Sequence, residues 1–193
     1  MTTGRKILFI TTDQQRYDAL GCNGGTIART PTVDALAAAG IRYERAHNQN
    51  VVCMPARSTM LTGQYVRTHG VYANGVPLPA DAPSAAAVLT DAGYRTALIG
   101  KAHFEPGFDP QGRWPENTLG RMDRERSYGP HRGFDHLELA MHGPLPWWHY
   151  GTWLCEEHGD EVGGFYPLVK DGALNRDGGG DTDLTPVSYT HLT

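Results

Sequence analysis

Apolar positions fall into short blocks separated by turn-forming residues, and the blocks alternate in kind. Residues 5–12 form an apolar run closed by two threonines. That is the pattern of a strand buried on both faces, as in a parallel sheet. Residues 30–40 read as a helix with a Thr cap, Pro31 in the first turn and Gly40 at the stop. Residues 41–46 predict a short second strand. Pro55 opens a helix that runs to about Thr62 and is ended by Gly63. Residues 84–92 predict another helix, stopped by Gly93, and residues 94–99 a third strand. This alternation predicts an α/β fold, with a mostly parallel central sheet flanked by helices. In such sheets ligands collect beyond the carboxyl ends of strands. Asp13-Gln14 and Gly100-Lys101-Ala102-His103 both fall at such ends.

Past Phe104 the pattern weakens. Residues 105–135 are rich in Gly, Pro, Arg and Asp and read as long loops. The chain therefore divides into a core over residues 5–104 and a loop-rich part over 105–186. The aromatic cluster at residues 146–153 can line a pocket or pack inside, and packing is the commoner fate of large aromatics. The Asp- and Gly-rich stretch at 175–183 lacks the spacing of a calcium loop and reads as solvated. Residues 187–193 follow no pattern set up before them and are expected to be a non-native tail, the natural sequence continuing from near Pro186.

Composition narrows the classes. With 193 residues, 39% hydrophobic and 20% charged, the chain is ordinary for a globular protein. A net charge of -4 argues against nucleic-acid binding, and anionic substrates would need local cations. No run of about 18 apolar residues predicts a membrane span. The first residues do not read as a signal peptide. Three cysteines are too few for a disulfide framework and suit reduced thiols. These features together predict a cytoplasmic protein.

The most specific chemistry lies in Cys53-Met54-Pro55-Ala56-Arg57, followed by Ser58-Thr59-Met60-Leu61-Thr62-Gly63. Cys53 is expected just before a helix N-terminus, where amide dipoles favour an anion. Arg57 adds a fixed positive charge one turn further in. Asp13 offers a hard anionic oxygen and Gln14 a carbonyl oxygen, donors suited to Ca²⁺, Mg²⁺ or Mn²⁺. On an extended backbone, Lys101 and His103 project to one side and can converge on a ligand.

The C-x-P-x-R…LTG string, with Asp13-Gln14 and Lys101/His103 around it, resembles the N-terminal half of the type I sulfatases, within the alkaline-phosphatase-like superfamily. That resemblance spans roughly residues 5–104 and implies an alkaline-phosphatase-like sandwich. It implies oxidation of Cys53 to formylglycine by a formylglycine-generating enzyme, and hydrolysis of a small-molecule sulfate ester by the aldehyde hydrate. Asp13, Gln14 and the modified Cys53 are implied metal ligands, with Ca²⁺ the first expectation. Arg57 is implied to support the modified residue, and Lys101 and His103 to contact sulfate and nucleophile. Asn74 is implied to face the site.

The match has departures. Many sulfatases carry a second Asp where this chain has Gln14, and Asp-Gln resembles the branch with phosphonate monoester hydrolases and choline-sulfatase-like enzymes. Ala56 replaces a commoner Ser. Family members are several times longer, with a second ligand pair, Asp followed by Asn or His, far downstream. Asp135-His136 falls too early for that pair and reads as structural.

Overall fold

The computed structural model describes residues 4–107, 109, 111–121, 125–141 and 148–158. The stretch at 175–183 and the tail at 187–193 lie outside the described residues, as does Trp147. The chain divides into two units, one built mainly from residues 1–47 and the other from residues 48–185.

In the first unit, helix α1 runs Pro31–Ala39. Its proline enters at the first position, where a missing N–H costs nothing, and the Gly40 amide closes the last turn on the Leu36 carbonyl at 2.9 Å. The expected cap is corrected. Thr30 sits at the cap position without capping the helix. Its hydroxyl instead accepts from the Gly21 amide at 2.8 Å and donates to Asp34 at 3.0 Å. Asp34 also accepts from the Cys22 amide at 2.6 Å, so the two side chains tie the turn at Gly21–Asn23 to α1.

Two strand expectations fail in this unit. Neither residues 5–12 nor residues 41–46 form a strand. A strand exists through its ladder partner, and among the described residues none pairs with either segment. Ile7, Leu8, Phe9 and Ile10 are accordingly exposed, Leu8 to 83%.

The second unit carries a packed core. Helix α2 spans Cys53–Thr62 and ends on Gly63, whose φ of 66° is the left-handed conformation glycine adopts without strain. The short helix α3 (Val66–His69) packs against α2. Helix α4 (Ala85–Asp91) is capped by Ser84, whose hydroxyl accepts from the Ala87 amide at 3.3 Å. Strand β1, Ala97–Gly100, is shorter than expected and pairs in parallel with β2, His136–Leu139. Helix α5, His149–Glu157, contacts β2.

Among its described residues, the connection from β1 to β2 is mostly loop, with one 3₁₀ turn at Pro115–Asn117. It closes through Thr96 and Asp135. The Thr96 amide donates to the Asp135 carboxylate at 2.9 Å, and the Asp135 amide returns to the Thr96 carbonyl at 3.1 Å. Asp135 thus has the structural role read for the Asp-His pair. Its neighbour His136 stacks on Tyr128 with ring centroids 5.6 Å apart. At Gly133 a side chain would strike the backbone of Ala87 in α4, so the loop before β2 lies directly on that helix.

Met54 and Leu61 from α2 meet Leu137 and Leu139 from β2, together with Val71, Leu78, Ala102, Phe104 and Trp148. Of the aromatic cluster, only part follows the packing expectation among the described residues. Trp148 is buried, whereas Tyr150 and Trp153 are exposed and stack on each other at 5.8 Å. His149 is buried beside the core; its Nδ1 accepts from the Leu139 amide at 3.0 Å and its Nε2 faces the Ser127 carbonyl at 3.0 Å. That arrangement requires neutral imidazole, and burial pushes its pKa below the usual histidine value. Among the described residues no helix is long and apolar enough to cross a membrane. Cys22, Cys53 and Cys155 are all free thiols.

Candidate active site

Cys53 is the first residue of α2, not the residue before it. The helix starts early because a side chain outside it meets its first turn. Asn74 Oδ1 accepts from the Met54 amide at 3.0 Å. Pro55 then sits at the third position, still within the turn whose N–H groups have no helical partner. Met54 is fully buried in the core, and its sulfur accepts from the Gly75 amide at 3.1 Å. The residue next to Cys53 is therefore clamped from two directions, and Cys53 is half-buried at the positive end of a ten-residue helix.

Lys101 follows β1 and brings its ammonium to 3.5 Å from Cys53 Sγ. Arg57 reaches across from α2 and donates to the Lys101 carbonyl at 2.6 Å. The guanidinium thus fixes the backbone that presents the lysine, a role for Arg57 that the motif alone does not show. Cys53, Arg57 and Lys101 are joined by hydrogen bonds, and Asn74 holds the next residue, Met54, at the start of α2.

His103 is buried, but the expected extended path to it is corrected. Strand β1 ends at Gly100, and His103 has φ 58°. The alternation that would put Lys101 and His103 on one side does not continue that far. A left-handed histidine costs on the order of 1–3 kcal/mol and persists only where its surroundings enforce it. Ala102 and Phe104, its neighbours in sequence, are both in the core.

Asp13 and Gln14 lie in the first unit. Asp13 is half-buried, and Gln14 is exposed with φ 53°. A carboxylate and an amide oxygen side by side are hard donors, and their chemistry fits a divalent cation such as Ca²⁺.

A second group of metal-type side chains was missed by the sequence reading. Glu105, Glu116 and His131 bring ligand atoms within 4.8 Å of one another. Glu116 is fully buried, and its carboxylate accepts from the Phe104 amide at 3.1 Å with each oxygen. Glu105 accepts from the Glu116 amide at 2.9 Å and from Arg132 Nη2 at 3.1 Å. His131 Nε2 lies 3.8 Å from Glu105 and 3.7 Å from Glu116. Protein donors already occupy these carboxylates, so the group fits a buried hydrogen-bond network better than a cation site. Burial raises the Glu116 pKa, His131 opposes that shift, and the Glu105 charge adds to it. Glu116 lies in a stretch without periodicity; only the acidic residue directly after His103-Phe104 hinted at such a network.

Known proteins resemble the chain over about half of its length or more. An N-acetylglucosamine-6-O-sulfatase of Bacteroides thetaiotaomicron is 37% identical over 106 residues, covering 53% of this chain and 19% of that protein. The arylsulfatase of Clostridium perfringens is 36% identical over 102 residues, covering 52% of this chain and 21% of the relative. The chain spans about a fifth of the length of these relatives. Among solved structures, the phosphonate monoester hydrolase of Agrobacterium radiobacter has 30% identity and a TM-score of 0.57, covering 78% of this chain and 28% of the other. A protein solved in complex with its substrate D-glucosamine-2-N,6-O-disulfate has 29% identity and a TM-score of 0.52, covering 67% of this chain and 22% of the other. The fold is of the alkaline-phosphatase-like type shared by these neighbours. The sequence profile of the family described as Sulfatase matches residues 5–137, more than half of the chain, and the chain belongs to the sulfatase family.

Proposed function

We propose that the protein carrying this chain hydrolyses small-molecule sulfate monoesters, with a formylglycine made from Cys53 as the nucleophile-bearing residue. The chain is read as the N-terminal part of a longer catalytic domain, and the fragment alone as inactive or poorly active. The observation that carries the reading is Cys53 at the N-terminus of α2 with Lys101 Nζ at 3.5 Å, inside the family match. Relatives named for sulfated sugars support the substrate class.

In this reading an aldehyde hydrate at position 53 supplies the attacking hydroxyl and, through its second hydroxyl, the route by which sulfate leaves. By the family resemblance, Asp13, Gln14 and the modified residue 53 are the residues that would hold a divalent cation, which would supply positive charge. The chain's own residues do the rest. The α2 N-terminus and Lys101 stabilise negative charge on the group being transferred. Arg57 keeps Lys101 in place through its carbonyl. Asn74 holds the helix start, and so the direction in which residue 53 points. His103, or a histidine beyond this chain, gives a proton to the leaving alcohol.

The test is a peptide mass over Cys53 after co-expression with a formylglycine-generating enzyme. Replacement of sulfur by oxygen, with loss of two hydrogens, is expected; an intact thiol under conditions that convert a known substrate overturns the mechanism. A second reading, hydrolysis of phosphonate or phosphate esters, is favoured by Gln14 beside Asp13 and by the match to a phosphonate monoester hydrolase. Rates of the protein from its complete reading frame on aryl sulfate and phenyl phosphonate esters separate the two.

A further inference from the structure

We infer that Glu116 is a positioning residue for His103, acting through the peptide bond that joins His103 to Phe104. The inference rests on the role just proposed for His103. A non-glycine residue at φ 58° needs its flanking peptides held. The peptide after His103 carries the Phe104 N–H, and both oxygens of Glu116 accept that hydrogen at 3.1 Å. The next peptide is held as well, because the Phe104 carbonyl accepts from the Leu78 amide at 2.8 Å.

Glu116 is in turn fixed from behind. Its own amide donates to Glu105, and Glu105 is anchored by Arg132. Arg132 also donates to the carbonyls of Leu78 and Pro79, at 2.8 and 3.0 Å. The chain leaving His103 is therefore locked to one buried network. A carboxylate suits this task better than an amide side chain, since it offers two acceptor oxygens and no donor to be buried unmet.

The test is a double-mutant cycle in the enzyme expressed from its complete reading frame, assayed on an aryl sulfate. Glu116→Gln is expected to lower kcat about tenfold, and Glu116→Ala about a hundredfold, the scale of a slightly misplaced group. KM should stay within about twofold, because ground-state binding is untouched. The decisive reading is the Glu116→Gln/His103→Ala pair, which should be no slower than His103→Ala alone. If the two losses multiply, Glu116 does not act through His103 and the inference is overturned. If His103→Ala is as active as the parent, the role assigned to His103 falls first and the inference falls with it. Should the Glu116 variants fail to fold, His131→Gln, which removes the ring facing both carboxylates, probes the same coupling. It should give a smaller fall in kcat that His103→Ala absorbs, and a multiplying loss overturns the inference equally.

Discussion

Helices α1 and α2 start from nearly the same local instructions and end in opposite environments. Each has a proline in its first turn and a glycine directly after its last residue. Helix α1 buries none of its residues, whereas α2 buries Met54, Pro55, Ala56, Ser58 and Leu61. Start and stop signals act over a few residues and say only where a helix runs. Burial depends on what the rest of the chain delivers, and only α2 is met by α3, α4 and the core around β2. The chemistry follows the same division, because a side chain can be aimed only from a helix that is itself held.

The largest test of that contrast is Cys53→Ala in the enzyme from its complete reading frame. It should cost on the order of 10³-fold or more in kcat/KM, as loss of a nucleophile does, with KM for a sulfate ester as the control measurement. Next is Met54→Ala, which opens a cavity in the core and should cost about 2–5 kcal/mol in urea unfolding. Asn74→Ala removes the distant acceptor at the start of α2 and should cost about 1 kcal/mol, the usual worth of a helix cap. Its effect on activity should exceed that of Ser84→Ala, which removes a cap of similar worth from α4.

A pH series sharpens the same boundary. His149 has its pKa lowered by folding, so the unfolded chain binds a proton more readily than the folded one. Its contribution to stability is complete above the unfolded value of about 6.5 and is lost as pH falls below it. The urea midpoint should therefore drop between pH 7.5 and 5.5, and by less in His149→Gln. The smallest effect is expected for Leu36→Ala in α1. That side chain is 63% exposed, so the change should stay within about 0.5 kcal/mol. A loss of 2 kcal/mol or more would show α1 to be packed after all.

What could be read from the sequence was what depends on neighbours along the chain. The Pro31, Pro55 and Ser84 helices and their stops come from single residues with known backbone preferences. The cysteine motif was legible because few functions need that string. Strand pairing was not legible. Residues 5–12 carry a strong strand pattern, yet a pattern cannot supply a partner, and they stand unpaired among the described residues. Among the described residues, the one strand pairing joins two segments far apart in sequence. Asn74 was noticed only through the family resemblance, since twenty residues separate it from the amide it caps. Glu116 was hidden for the same reason, in a loop whose composition says little about which carboxylate is fully buried.

The Thr96–Asp135 clasp has a consequence in time. It links residues 39 apart, whereas the turns of α2 and α4 close over four. Entropy must be lost to bring such distant segments together before any contact repays it, so pairings of this kind form late. Lys101, His103 and Glu116 all lie inside the loop that the clasp closes, while Cys53 lies outside it. The groups that are to act with the residue at the helix start thus depend on the longest closure of the three. Closure of the clasp is therefore expected to be the step that brings Lys101 onto Cys53.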